Sequence, residues 1–280
     1  MDLTAKKITK SLYKRMKSFN DMGLYFFTHG KKIKRLKNGA PKDYCFIIGN
    51  GPSLSEMDLT RLKNEYTFCL NSFFLHKDIN IINPKCYITG NPLFLKSTFF
   101  DKEAIPFLSK NPGMIKIFDY HFSRAAKGKM DELENVFFIR FNQNRRILSV
   151  GKIIFDPSKI LPASDASVLI QSAIPLAVYM GFKKIFLVGC DCNYKMGKDF
   201  GKIDVNHFYK ESDHQDMLDI VKEAKEKYGS YWKNNSHSDF IMEEWTIVKR
   251  CVENQGVEII NAGIGGALNV FRRIPYENVI

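Results

Sequence analysis

The chain alternates short apolar runs with polar, glycine-marked breaks. The runs Tyr44–Ile48, Tyr66–Leu70, Lys85–Thr89, Met114–Phe118, Val136–Ile139, Lys184–Gly189 and Val257–Ile260 are nearly continuous in apolar residues. That is the pattern of strands covered on both faces in a parallel sheet. Between them, Ala166–Met180, Met217–Tyr228 and Phe240–Gln255 read as helices, and Pro175 predicts a kink or break in the first. Leu54–Leu62 is also compatible with a helix. Alternation of this kind predicts an α/β fold with a mostly parallel sheet and helices on both faces. Residues 191–212 are polar and hold Tyr194, His207 and Tyr209. A loop that long in a compact domain predicts a functional lid, spanning about residues 191–238. The organisation expected is a basic helical arm, residues 1–42, ahead of one nucleotide-binding domain, residues 43–280.

Polar residues gather where the apolar runs stop, at Asn50, Asn71, Asn91 and Asp191. In open parallel sheets, ligands sit beyond the carboxyl ends of the strands. The first stop is Gly49-Asn50-Gly51-Pro52-Ser53-Leu54. Strand, small-residue turn and helix start, in that order, form a phosphate-facing loop. Ser53 is the expected N-cap, with Glu56 three residues on completing a capping box. Pro-Ser-Leu follows the Gly-x-Gly, so the dinucleotide fingerprint is absent, and no Gly-Lys-Ser/Thr makes a Walker loop. The expectation is a nucleotide or sugar-nucleotide site of a less common type; an ordinary strand-to-helix turn is the alternative.

Composition narrows this picture. The 280 residues are 45% apolar and 13% aromatic, enough for a sizeable core. Cys45, Cys69 and Cys86 lie in strand-like runs as small buried hydrophobes. Cys190 and Cys192 lack the spacing of zinc or redox pairs, and Cys251 has no partner motif, which argues against a metal or disulfide framework. A charged start without a cleavage site, and the lack of any apolar run near the ~18 residues of a span, predict a cytoplasmic protein. The net charge of +12 is uneven: residues 1–42 hold twelve Lys/Arg against Asp2 and Asp21, leaving +2 for the rest. Ile8, Leu12, Met16 and Phe19 recur at helical spacing among Lys6, Lys7, Lys10, Lys14 and Lys17. Such a segment suits peripheral contact with an anionic membrane through residues 1–37, at the inner face of the cytoplasmic membrane. Packing on its own domain or in a homo-oligomer is the other reading. No basic, aromatic-interleaved surface appears later, which argues against nucleic acid.

Among the histidines, His237 follows Asn234-Asn235-Ser236 and precedes a helix from Asp239, a position from which it can face the cleft as a general base. His207, in Asn206-His207-Phe208-Tyr209, competes as base or phosphate contact. His214 reads as solvated, and His29, His76 and His121 as incidental.

Five blocks, taken together, resemble the bacterial lipooligosaccharide sialyltransferases and, more broadly, bacterial proteins related to hydroxymethylpterin pyrophosphokinase. They are Gly49–Leu54, Leu70-Asn71-Ser72-Phe73-Phe74, Asn91-Pro92-Leu93-Phe94, the run Met180–Asp191, and Ser236-His237-Ser238. The resemblance spans Gly49 to about Asn261 and leaves out the arm. It implies a Rossmann-like fold with a lid over a cytidine-monophosphate (CMP) sugar, inversion at the anomeric centre, and no metal or other cofactor. It implies that Asn50, Gly51, Ser53, Asn71 and Asn91 contact the nucleotide and donor, that Gly189 and Asp191 line the pocket, and that His237 is the general base. Two tyrosine hydroxyls on the leaving phosphate would be Tyr194 and Tyr209, although Asp191-Cys192-Asn193 displaces the first from the family's position. Asp165-Ala166-Ser167 stands where the family carries Thr-Ser, leaving Ser167 as the nearest hydroxyl.

The function expected is therefore transfer of an acidic sugar (sialic acid, a related nonulosonate or Kdo) from a CMP donor to a cell-surface glycan acceptor, in capsule or lipopolysaccharide synthesis. Two alternatives stand beside it. One is a magnesium-dependent pyrophosphokinase acting on a pterin-like alcohol, with Asp156, Asp165 and Asp191 as candidate ligands. The other is a non-catalytic nucleotide-binding module.

Overall fold

A computed structural model describes residues 21–123, 128–164, 166–193, 204–234 and 237–280, excepting the side chains of 227–234 and 237–239. Its centre is a nine-stranded sheet: β1 Tyr44–Ile48, β2 Thr67–Leu70, β3 Cys86–Thr89, β4 Ile115–Asp119, β5 Val136–Arg146, β6 Ile160–Ala163, β7 Lys184–Val188, β8 Glu258–Asn261 and β9 Arg272–Arg273. The spatial order is β6-β5-β4-β3-β2-β1-β7-β8-β9, and each neighbouring pair is parallel. The seven expected strands are present. The sequence pattern did not show β6 and β9. Pro162 sits inside β6 and cannot donate to a ladder, so the segment reads as a break; as an outermost strand it tolerates the missing N–H. β9 is only two residues long, and both are exposed arginines.

Alternate residues of each strand feed two cores. Cys45, Ile47, Phe68, Leu70 and Ile88 pack with Leu169–Met180 and with Ile241, Trp245, Val248 and Val252. Phe46, Ile48, Cys69, Tyr87 and Phe118 pack on the other face with Leu54, Phe73, Phe94, Phe99 and Met217. The covering helices include α1 Pro92–Lys96, α2 Ile174–Met180, α3 Gln215–Asn234 and α4 His237–Glu253. A wide π-type turn, Leu169–Ala173, runs directly into α2, so Pro175 falls in the first turn of α2, where its missing N–H does least harm. Leu54–Leu62 does not form the single helix its pattern allows. It makes two 3-10 turns, Pro52–Glu56 and Leu59–Leu62, with Asp58 capping the second.

Residues 21–36, which the sequence assigns to the arm, form a leading helix packed on the domain. Tyr25 and Ile33 are fully buried. β6 pairs only with the Arg140–Arg146 half of β5 and leaves the lower half without an outer strand. The leading helix lies against β5 there. The Tyr25 hydroxyl accepts from the Arg140 N–H at 3.3 Å and donates to the Pro157 carbonyl at 2.7 Å. An edge amide is thereby satisfied by a side chain, which removes a template for unwanted pairing. Residues 1–20 lie outside those described.

Candidate functional site

The chain lays strands outward from β1 to β6, then returns to the other side of β1 as β7. Such a reversal opens a crevice beyond the carboxyl ends of the two central strands. A cleft of about 670 Å³, counting its open mouth, lies there, between the turns after β1 and β7.

Its floor is made by two turns in backbone contact. The Gly49 N–H donates to the Val188 carbonyl at 2.8 Å, and the Gly51 N–H to the Gly189 carbonyl at 2.9 Å. A Cβ on Gly49 would stand 2.3 Å from the Gly189 oxygen, and one on Gly51 would stand 2.5 Å from the Asp191 carboxyl carbon. The Gly-x-Gly spacing thus serves the close approach of two turns within the protein. Asp191 is 7% exposed, and its two oxygens accept from the Ser53 N–H at 3.0 Å and from the Ser53 hydroxyl. Its main-chain oxygen accepts from Ala267 at 2.6 Å. Asp191 therefore ties the turns after β1 and β7 together with charge-assisted bonds, and its main chain links them to the turn after β8. The expected capping role of Ser53 is not observed: no side-chain cap bond forms at Pro52–Glu56, and the Ser53 hydroxyl is committed to Asp191.

Polar groups project from this floor. Asn50 donates from Nδ2 to the Leu70 carbonyl at 2.9 Å, which fixes its amide orientation. Its Oδ1 is enclosed and, among the described residues, has no partner. Asn71 sits at φ +48°, a left-handed conformation that asparagine tolerates, and its Oδ1 accepts from Thr89 at 2.9 Å. On the neighbouring wall, the Ser167 hydroxyl accepts the Leu169 N–H at 3.0 Å and retains its own proton to donate. The turn carrying Ser167 is pinned by Ser164, whose hydroxyl accepts two amides at 3.0 Å and donates to Glu244 of α4, which is fully buried.

The roof is the segment 204–211. The Phe208 N–H donates to the Asn50 carbonyl at 3.0 Å, and its ring packs near Phe73 and His76. His207 lines the cleft, with Nδ1 paired to Glu211, which is 6% exposed. The other Glu211 oxygen accepts the Asp204 N–H at 2.5 Å. A carboxylate on Nδ1 keeps a proton there and leaves Nε2 as the basic nitrogen. Ile241 and Trp245 of α4 close the back. Burial pushes the Cys192 thiol up to about 12 and the Cys190 thiol well above its ordinary value. Neither cleft cysteine is then a thiolate nucleophile near neutral pH. The described lining holds no Lys or Arg.

The structure brings together Asn50, Gly51, Asn71, Ser167, Gly189 and Asp191 around one cleft. Ser53 stands behind Asp191 rather than in the lining. Asn91 is exposed and caps α1, accepting from Leu93 at 3.0 Å; it does not line the cleft. A Pro at the next position already marks it as a helix start. Tyr209 is also outside the lining: it stacks on His207 at 4.8 Å, and burial pushes its phenol up. Tyr194 lies outside the described residues, as does the side chain of His237. His237 begins α4, four and eight residues ahead of Ile241 and Trp245 in the sequence. Sequence reasoning missed Asn193, Asn206 and Trp245 as lining residues. Trp245 carries only the signal of an apolar helix stripe, which reads as core. Among the described residues, no three His, Cys, Asp or Glu side chains converge as a metal site.

No family model matches the chain, and no curated protein matches it. Among solved structures, it is similar to the sialyltransferase CstII from Campylobacter jejuni, determined in complex with the substrate analogue CMP-3FNeuAc. Identity is 14% over 84% of this chain and 87% of that one, with a TM-score of 0.45. A likeness this distant carries no argument about site or substrate.

Proposed function

We propose that the protein is an inverting, metal-independent glycosyltransferase that moves an acidic sugar from a CMP-activated donor to a cell-surface glycan acceptor. The observation that carries this reading is the meeting, in one cleft at the sheet's reversal point, of an unsatisfied acceptor (Asn50 Oδ1) and an imidazole oriented by a buried carboxylate (His207 and Glu211). A buried acceptor without a donor costs about 1–3 kcal/mol, which a ligand N–H or O–H would recover. A nucleoside monophosphate is already a good leaving group and needs hydrogen bonds to spread its charge. Ser167 and the Asn71 amide are neutral donors suited to that role. The acceptor hydroxyl attacks the anomeric carbon as the C–O bond to phosphate breaks. CMP leaves with the electron pair, and the hydroxyl proton passes to Nε2 of His207.

Metal independence enters with the family resemblance, as does the acidic character of the sugar. The rival pyrophosphokinase needs carboxylates available for magnesium. Asp191, its candidate in this cleft, has both oxygens engaged by Ser53, which favours the transferase. The test incubates purified protein with a panel of nucleotide sugars, with and without a chelator. Release of CMP from an acidic-sugar donor, unchanged by the chelator, is the expected result. A cleft indifferent to cytidine nucleotides in thermal-shift assays, or phosphoryl transfer from ATP that a chelator abolishes, would overturn the proposal.

A further inference from the structure

Four large apolar side chains stand exposed among the described residues, and three of them fall within one short stretch: Leu24 at 50%, Phe26 at 42% and Phe27 at 83%. The fold does not need them there. The leading helix is held to the domain by Tyr25 and Ile33, both fully buried on its other side. Three apolar side chains in contact with water are unfavourable in a free monomer and become favourable once covered. Exposed Lys31, Lys34 and Lys37 follow directly. The one acid of the helix, Asp21, is neutralised by Arg140 at 2.6 Å.

An apolar ridge with a cationic collar is the complement of an anionic lipid surface: rings enter the headgroup boundary while ammonium groups remain among the phosphates. We infer that the protein docks on anionic membranes by inserting Leu24, Phe26 and Phe27, with the lysines that follow set against lipid headgroups. The contact is peripheral, because no described helix is long and apolar enough to cross a bilayer. The inference stands apart from the sugar-transfer reading. Asp21 is bonded to Tyr120, which directly follows β4 at the rim where the cleft opens. β4 lies three strands from β1, about 14 Å across the sheet.

The test uses the full chain with vesicles of phosphatidylcholine, alone or doped with phosphatidylglycerol. Wild type is expected to sediment with the doped vesicles at low salt and much less in high salt. The double variant Leu24→Ser/Phe27→Ser should lose about tenfold or more of that binding, with an unchanged melting temperature. Phe27→Trp should show emission typical of exposed tryptophan in buffer and shift to the blue with anionic vesicles. Equal sedimentation of the double variant, or Phe27→Trp emission that ignores vesicles, would overturn the inference. So would blue-shifted emission in buffer alone, which marks cover by residues 1–20. A dimer in buffer that the double variant separates would instead assign the ridge to a second copy.

Discussion

In the floor of the cleft, the turns after β1 and β7 meet backbone to backbone, at distances that leave no room for a Cβ, and a buried carboxylate stitches them together. The roof, residues 204–211, is held mainly by side chains: His207 on Glu211, Phe208 against Phe73, and Tyr209 stacked on His207, with one main-chain bond to Asn50 among the described residues. The floor is thus part of the sheet and shares its rigidity. The roof is an added layer whose few contacts can rearrange at lower cost. On the proposed reading, such a cleft binds through the floor and does chemistry from the roof. The two halves should fail differently when altered.

The largest expected effect is in the roof. His207→Ala should lower kcat by about 10²–10⁴-fold and leave the thermal shift with CMP intact, because the floor is untouched. If His207→Ala keeps its activity and His237→Ala loses it, the base belongs to the first turn of α4 instead. Next comes the floor: Gly49→Ala drives a Cβ into the Gly189 carbonyl and should cost about 1–3 kcal/mol in urea unfolding, with loss of nucleotide binding. A variant as stable as wild type would show that the floor yields. Glu211→Gln sharpens the comparison within the roof. It should reduce kcat by at least about tenfold and alter its pH profile, at an unchanged KM for donor. A purely structural Glu211 would lower stability without moving the pH profile.

The smallest effect lies away from both halves. The Asp119 carboxylate, 2.9 Å from Nδ1, raises the pKa of His121. The folded state therefore binds this proton more tightly than the unfolded chain. The added stability is present below the ordinary histidine value of about 6.5 and is lost as pH rises through the folded value. The stability difference between wild type and His121→Asn should shrink over that interval. A constant difference would mean that the contact does not depend on charge. Half of the His121 side chain is exposed, so solvent screening keeps the effect small.

Much of the fold was legible because it is local. Strands buried on both faces must be nearly continuous in apolar residues, and polar residues at strand ends mark the rim of an open parallel sheet on which ligands sit. The polar residues ending β1, β2 and β7 do meet in one cleft. Asn91 misled because the same residue type that contacts a ligand also caps a helix, and only the packed structure shows that Leu93 and Phe94 take up its oxygen. Ser53 misled for a related reason: its natural local partner lies three residues on, but a carboxylate 138 residues away supplies the stronger, buried bond.

The sequence by itself determined the α/β class, the position of the reversal-point turn and the basic, amphipathic character of the first 42 residues, since each follows from the periodicity or charge of contiguous residues. Only the tertiary structure decided that Asp191 clamps Ser53, that His207 comes to the same cleft as Asn50, and that Tyr25 buries the leading helix while Phe27 stands in water. Those outcomes depend on which distant groups the sheet order brings within hydrogen-bonding range. No local pattern encodes a contact whose two halves are specified more than a hundred residues apart.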